Sequence, residues 1–367
     1  MEEEELKKPN FFKRHWKLLM IVFGILIILA VGTIVGLNKL DRYYKEKSGE
    51  VAPKVETECK KPEFTHPMTD LSKIASIGKL GGFGCGSPAR SYLTIKGGEV
   101  PVYAPMDATL ETIIYTPRGG PETPPEYGLY FNAGCNVTFL LDHIDRVTDE
   151  LKALAPQQPA ESTRTELGTR PNKKIKAGTL VGYSDGTPQA KTFDFLVMDM
   201  SKVGEHINPS RWETDQAKYG VCPYDYYIAP YKEQFMEKIG ISSDTGFTPE
   251  DSCGIPSQDV VGTLSGGWFK GTGTNMKGEF LGIGQNILRV EVALRKDGNF
   301  DFSLQDWDMG KKKPKDVKVG EQICYSDQGS NLWAWIRLVS QDKISFAKGS
   351  GKCPAAFPES QAEIWER

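Results

Sequence analysis

Few side chains in this chain could carry acid–base or nucleophilic chemistry. The chain has 367 residues and four histidines: His15, His66, His143 and His206. No serine or cysteine stands in a recognisable Ser-His-Asp or Cys-His arrangement, so a general base has few candidates. The formal net charge of −3 gives no electrostatic argument for nucleic-acid binding. These patterns do not predict nucleophilic catalysis or a nucleic-acid partner.

An apolar run of about 20 residues, 18–37, reads LLMIVFGILIILAVGTIVGL. Such a run can cross a ~30 Å hydrocarbon core as one helix, and it exceeds the roughly 7–15 apolar residues of a cleaved signal peptide. We therefore expect a transmembrane signal anchor at residues 18–38, after an N-terminal tail at 1–17. This predicts a single-pass cell-membrane protein with a cytoplasmic N-terminus and extracytoplasmic domains. A cleaved signal and a buried globular helix are the alternatives.

The cysteines support an oxidising compartment. All seven follow the apolar run: Cys59, Cys85, Cys135, Cys222, Cys253, Cys324 and Cys353. No pair has the C-x-x-C spacing of a zinc or thiol-redox site. We expect two or three disulfides and one remaining thiol. Cys353 could pair with Cys324 or with Cys253, because sequence alone does not set the connectivity.

The composition indicates a folded, mainly β protein. Hydrophobic residues make up 39% and charged residues 25% of the chain, which also has 38 glycines, 23 prolines and 10% aromatic residues. These values are typical of β-rich domains with many turns. Asp297-Gly298, between two alternating runs, predicts a β-hairpin. The expected division is a stalk at 39–75, a first β domain at 76–205, a connector at 206–252, a second β domain at 253–358 and a tail at 359–367.

Three segments of the first domain occur in an order that resembles a known family. They are residues 102–108 (VYAPMDA), 177–186 (AGTLVGYSDG) and 192–195 (TFDF). Together they resemble the duplicated-hybrid-motif β-sandwich of lysostaphin-type (LytM-like) metallopeptidases. The resemblance covers roughly residues 76–205, and it implies that fold for the first domain. The turn at 105–107 carries no lysine, unlike the related biotinyl and lipoyl domains.

The resemblance also implies positions for a zinc site, which this chain has lost. The family has a His-x-x-x-Asp pair and a His-x-His pair, which hold zinc with an open position for water. Here the first pair falls at Arg90 and Thr94, and the second at Thr192 and Asp194. Arg90 places a fixed positive charge where the cation would lie. The resemblance therefore implies a pseudoenzyme with neither metal nor cofactor, in which a salt bridge between Arg90 and Asp194 replaces the metal.

A groove would remain over the lost metal site. We expect Tyr92 and His143 to line it together with the loop 117–127. Degenerate members of such families are similar to binding or activating modules of the cell envelope. The predicted function is therefore a non-enzymatic binding or scaffold protein at the envelope. Its partner would be a cell-wall or surface polymer, such as a peptidoglycan-like glycopeptide, or an envelope protein.

The sequence of the second domain predicts a small β-barrel or sandwich. About seven short strands follow residue 253, and closure of a small barrel would remove their exposed edges. The run Leu332-Trp-Ala-Trp-Ile-Arg-Leu alternates, which puts Trp333, Trp335 and Arg337 on one face. Aromatic residues beside an arginine favour a binding surface, and core packing is the alternative.

Two other functions stay open. One is a zinc metallohydrolase, a peptidoglycan-type endopeptidase, whose ligands come from His66, His143, Asp194 and His206 at spacings that differ from the family's. The other is an adaptor subunit of a membrane complex, since hybrid-motif barrels also serve in such assemblies. Zinc content would distinguish the first from a binding module, and capture of a defined protein partner would favour the second.

Overall fold

Strands account for most of the regular structure in the computed structural model, which describes residues 59–83, 87–116, 126–156, 167–188, 190–244, 246–308 and 310–367. No helix in these ranges is long and apolar enough to span a membrane. That finding corrects the predicted fold class, with its transmembrane helix, and the single-pass localisation: what the structure shows is a mainly β protein. The residues of the predicted anchor, 18–38, and of the tail before it lie outside the described residues.

The first twelve strands build two sheets. They are β1 (Ile74–Ile77), β2 (Ser91–Ile95), β3 (Val100–Tyr103), β4 (Ala108–Thr116), β5 (Glu126–Gly134), β6 (Val137–Ile144), β7 (Arg146–Val147), β8 (Leu167–Thr169), β9 (Lys173–Ile175), β10 (Leu180–Ser184), β11 (Thr192–Asp199) and β12 (Gly220–Val221). The larger sheet has the order β1-β2-β11-β6-β5-β4-β8, with β12 beside β11 and β9 beside β4. The smaller sheet has the order β3-β10-β7.

Both sheets bury side chains in one core, as a sandwich does. Val102 of β3 and Val181 of β10 belong to the same buried cluster as Phe139 of β6 and Phe195 of β11. All eight residues of β11 are buried, because β11 lies between β2 and β6 and both its faces are covered. Its alternate residues point to opposite faces: Phe195 enters this core, and Leu196 joins a cluster on the other face.

Residues on either side of the predicted first domain also belong to this core. Phe64 and Met68 are fully buried in it, which corrects the stalk prediction for residues 61–75; residues 39–58 lie outside the described residues. The predicted connector contributes Tyr224 and Phe235 to the same cluster. Its elements are α2 (Asp215–Tyr219), α3 (Tyr231–Met236), and the hairpin of β13 (Gly240–Ser243) and β14 (Gly246–Pro249), while α1 (Asp149–Lys152) lies earlier in the chain.

The remaining eight strands form a nearly closed, barrel-like sheet. They are β15 (Gly266–Phe269), β16 (Glu279–Gln285), β17 (Val290–Lys296), β18 (Asn299–Asp306), β19 (Gln322–Asp327), β20 (Leu332–Leu338), β21 (Lys343–Ser350) and β22 (Glu363–Glu366). Their order is β18-β17-β16-β15-β22-β21-β20-β19. The end strands approach each other where the Asp306 carboxylate accepts a 2.8 Å hydrogen bond from the Ser326 N–H. This sheet supports the prediction that the second domain contains a small β-barrel.

The hairpin predicted at Asp297-Gly298 is confirmed, since β17 pairs with β18 around it. Both turn residues have positive φ, 48° and 78°, as a two-residue hairpin turn requires. The prediction of a C-terminal tail at 359–367 is wrong, because residues 363–366 form β22 between β15 and β21. Trp365 is fully buried in the barrel core, and this burial fixes the short strand in place.

Disulfides are present, as the cysteine pattern predicted. Cys222 is bonded to Cys253, and Cys324 is bonded to Cys353. Cys59 and Cys135 are disulfide-bonded as well. The barrel therefore has the first of the two pairings proposed from the sequence. Cys85, the candidate for the remaining thiol, lies outside the described residues.

Candidate functional site

The central strands of the larger sheet bring together residues that are far apart in sequence. On β11, Asp194 lies opposite Tyr92 of β2 and Asp142 of β6. Arg90, just before β2, donates hydrogen bonds from Nη1 to the carboxylates of Asp142 and Asp194, the latter at 3.2 Å. The ion pair expected between Arg90 and Asp194 is therefore present, well within the ~6 Å limit for such a contact.

A β-bulge aims two consecutive side chains at this point. Between the pairs Tyr127–Ile144 and Leu129–Leu141, β6 has one residue more than β5. Successive strand residues normally point to opposite faces. Here Leu141 and Ile144 both enter the core, and His143 has a left-handed backbone with φ of 60°. The bulge therefore leaves both Asp142 and His143 outside the core, where they meet Asp194.

His143 bridges two carboxylates. Its Nδ1 lies 2.5 Å from Glu126 Oε2, and its Nε2 lies 3.3 Å from Asp194 Oδ2. Burial alone would lower the pKa of His143, but the hydrogen bonds to Asp194 and Glu126 outweigh it and raise the pKa to about 10. At neutral pH the ring is an imidazolium that donates from both nitrogens.

The result is a buried charge cluster of five residues, Arg90, Glu126, Asp142, His143 and Asp194. Burial disfavours the charge on Arg90, but the attraction of Asp142 and Asp194 is stronger and holds its pKa above the ordinary value. Two cations face three carboxylates, and the Asp194 side chain is 1% exposed. Mutual pairing is what permits so many charges in a buried place.

The cluster does not fit the zinc ion that the resemblance implies for an active enzyme. Asp142, His143 and Asp194 each bring a possible ligand atom within 4.8 Å of the others. However, a divalent cation there would meet the Arg90 guanidinium, and an imidazolium has no lone pair for a metal. A zinc ion would have to displace Arg90 and remove a proton from His143.

The ligand set considered for an altered zinc site is not assembled. In the described part of the chain, His66 and His206 belong to no group of residues that could hold a metal ion. The His66 Nδ1 lies 2.8 Å from the Pro67 carbonyl oxygen, and the His206 Nε2 lies 2.8 Å from that of Ala217. Burial lowers the pKa of His206. Both rings have structural contacts away from Asp194.

A cavity of about 410 Å³ opens beside the charge cluster. It lies between β1, β2 and β11 on one side and the turn from β16 to β17 on the other. Thr94 and Thr192, which are paired across β2 and β11, both line it. Tyr92 and His143, which the sequence analysis assigned to a groove, line it too, and Gln285 and Arg289 form the barrel side. Of the loop predicted at 117–127, residues 117–125 lie outside the described residues, and Glu126 and Tyr127 begin β5.

Two ion pairs border this cavity. Lys79 lies 3.1 Å from Glu250, and Arg289 lies 2.9 Å from Glu291. Glu250 also accepts a 2.6 Å hydrogen bond from the Ile287 N–H, which ties the connector to the β16–β17 turn. The walls of the cavity are therefore held by charge pairs, and most of its other polar lining consists of neutral hydroxyl and amide groups.

The surface predicted on β20 is covered. Trp333, Trp335 and Arg337 do share one face, but Trp333 is only 5% exposed. The indole N–H groups of the two tryptophans donate to the Ser350 and Pro354 carbonyls. The Arg337 guanidinium lies 4.1 Å from the centre of the Phe357 ring. Residues 350–359 pack over this face, so it is not an open binding surface.

Asp142 and Glu126 belong to the charge cluster, but the sequence did not single them out. Each is placed by the β5–β6 hairpin, whose turn contains Cys135 and Asn136 with positive φ. An Asp-His pair inside an otherwise apolar strand was the signal that could have drawn attention to Asp142. Nothing comparable marks Glu126, which reaches His143 only because the bulge turns the ring toward it.

Comparisons of the chain with protein-family models, with curated proteins and with solved structures found no match. The resemblance to lysostaphin-type peptidases therefore stays a prediction based on the motifs quoted above.

Proposed function

We propose that this protein is a non-enzymatic binding protein whose ligand occupies the cavity beside the charge cluster. The observation that carries the proposal is the contact of Arg90 with both Asp142 and Asp194. A hydrolytic site needs either a metal with an open position or a base that can accept a proton. The fixed cation of Arg90 disfavours the metal, and a protonated His143 cannot act as the base.

The cavity itself supports a binding role. Its volume, about 410 Å³, falls in the usual range for a site that holds a small molecule or one segment of a polymer. Thr94, Thr192 and Gln285 offer hydroxyl and amide groups rather than unpaired charges. Gln285 Oε1 is buried and has no hydrogen-bond partner in the described structure, so a ligand donor would satisfy it.

A cell-wall or surface polymer of the glycopeptide type suits such a lining, because sugars and peptides both carry neutral donors and acceptors. The motif resemblance to lysostaphin-type peptidases points to the same class of polymer. In this proposal the first domain is a degenerate peptidase domain that retains the groove and has lost the chemistry. The binding role depends on the cavity and remains in place even if the resemblance fails.

Calorimetric titration of the full chain with soluble peptidoglycan glycopeptide fragments tests the proposal. Thr94→Tyr fills the cavity from a half-exposed strand position, and Ser303→Tyr is the control on the outer face of the barrel. We expect wild type and S303Y to bind alike and T94Y to bind at least about tenfold more weakly. Absence of binding to wild type, or equal binding by T94Y, would overturn the proposal.

A further inference from the structure

Trp307 is the most exposed tryptophan among the residues that the structure describes, with 52% of its surface accessible. It directly follows β18, next to the pair formed by Asp306 and Val290. A large aromatic side chain in this state leaves apolar surface in contact with water, which a ligand could cover. Trp307 stands directly after the alternating residues of β18.

Arg289 connects Trp307 with the cavity of the proposed function. Its guanidinium carbon lies 4.9 Å from the centre of the Trp307 ring. The same guanidinium is fixed by Glu291, with Nε and Nη2 at 3.0 Å and 2.9 Å from Oε1. Since Arg289 also lines the first cavity, the stacked Arg289–Trp307 pair stands at its rim.

A second cavity, of about 350 Å³, lies on the other side of this pair. Trp307 lines it together with Asp308, Ser326 and Gln328. Its buried carboxylate, Asp306, is already neutralised by Lys311 at 2.7 Å. The second cavity therefore has an aromatic ring beside the polar groups of Ser326 and Gln328, as the first cavity has Tyr92 beside its hydroxyl and amide groups. Two further carboxylates, Asp308 and Asp327, also line it, and each accepts a backbone N–H hydrogen bond.

The geometry of the first cavity disfavours a bound peptide strand. Peptides commonly bind by adding to the free edge of a sheet. Of the strands beneath the cavity, β2 and β11 are each paired on both sides. The outer edge of β1, the end strand, is joined to the connector by the Ile77–Ile239 bridge and by the hydrogen bond from the Ile77 N–H to the Lys238 carbonyl. These strands therefore present mainly side chains to the cavity. Hydroxyls, amides and the flat rings of Tyr92 and Trp307 instead match a sugar ring, which has polar edges and an apolar C–H face.

We propose that the ligand is a carbohydrate chain that extends across both cavities, with one sugar ring stacked on Trp307. This inference rests on the proposed function, because it names the part of the polymer that is recognised and adds a second subsite. The stacked pair lies between the two subsites, so a chain of several sugars would contact both. A single disaccharide would fill only one of them.

The test compares two probes on the full chain by calorimetric titration. One probe is the soluble peptidoglycan glycopeptide, and the other is the same glycan strand after an amidase has removed its peptides. The variants are Trp307→Ala and, as the matched control, Phe300→Ala. Phe300 is 48% exposed and also has an arginine over its ring, Arg295 at 4.3 Å, but it lies at the opposite end of β18.

We expect the bare glycan to bind wild type and F300A as well as the glycopeptide does, and W307A to bind both about tenfold more weakly or worse. Trp307→Phe should restore much of the loss, because it retains a flat ring. Binding of the glycopeptide but not of the bare glycan would overturn the inference and leave the proposed function intact, as would unchanged binding by W307A. Failure of wild type to bind either probe would overturn the proposed function itself.

Discussion

Arg90 donates a hydrogen bond to Asp194 across 3.2 Å, although the two residues are 104 positions apart in the chain. The same guanidinium contacts Asp142, so one side chain joins the approach to β2 with β11 and β6. A cation at this point satisfies two carboxylates that would otherwise repel each other. The cluster therefore depends on Arg90. Removing the Arg90 side chain should lower the stability of the protein and raise its affinity for cations.

Replacing Arg90 by methionine should lower the free energy of unfolding by about 3 kcal/mol, because it leaves the half-buried Asp142 without its ion pair and the buried Asp194 with His143 as its remaining cation. Urea denaturation of the full chain measures this change. Arg146→Met is the control, since Arg146 pairs with Glu99 at 2.9 Å on an exposed surface and should cost less than about 1 kcal/mol. Equal effects of the two substitutions would show that the Arg90 pairs contribute no more than a surface contact.

The stability should fall with rising pH through His143. Its folded pKa of about 10 lies above the ordinary 6.5, so the protonated ring stabilises the fold fully below about pH 6.5. That contribution, at most about 5 kcal/mol, is lost as pH rises toward 10. Unfolding curves at pH 6, 8 and 10 for wild type and His143→Gln measure the difference. A gap between the two that stays constant over this range would contradict the raised pKa.

The bulge should tolerate some side chains at position 143 better than others. Both His143→Asn and His143→Val remove the imidazole contacts, but only asparagine adopts a left-handed backbone readily. With φ at 60°, we expect the valine variant to be less stable by a further 1–2 kcal/mol or so. Thermal or urea unfolding of the two variants side by side gives this difference, and equal stability would argue against the bulge geometry.

Local sequence patterns predicted the structural features that depend only on neighbouring residues. The Asp297-Gly298 hairpin and the alternation of Trp333 and Trp335 are of this kind, because turn type and strand period follow from a few adjacent residues. By contrast, the turn between β5 and β6 has no such signal, because Cys135 and Asn136 adopt left-handed backbones without a turn-forming Asn-Gly pair. Whether an alternating face is open or covered, as residues 350–359 cover Trp333, depends on distant segments.

The site was predictable only in part, for the same reason. The motif resemblance placed Arg90 beside Asp194, since both positions follow from one strand pairing. Glu126 and Asp142 enter the cluster through a bulge that no local pattern signals. The cavity wall beyond β11 comes from Arg289 and Gln285, which lie nearly 100 residues later in the chain. The periodic pattern of apolar residues does not predict contacts between residues so far apart in sequence.

Two disulfides of similar span offer a test of how the cavity is held. Cys222–Cys253 and Cys324–Cys353 close loops of 31 and 29 residues, so replacing either pair by serines should cost a similar 2–4 kcal/mol or so. Only the first anchors the segment that carries Glu250 and Gln258 into the cavity wall. We therefore expect the first variant to bind the glycopeptide more weakly than the second variant does in calorimetric titration. Equal binding by the two variants would show that the Cys222–Cys253 disulfide does not hold the binding site in place.

Zinc content of the full chain is the most direct test of the claim that Arg90 stands where a cation would bind. The protein is purified without chelator and analysed for zinc, with Arg90→Ala treated in parallel. We expect wild type to carry far less than one zinc per chain, and R90A to gain affinity, because Asp142, His143 and Asp194 already lie within 4.8 Å of one another. Near-stoichiometric zinc in the wild-type protein would contradict the account and support the metallohydrolase alternative.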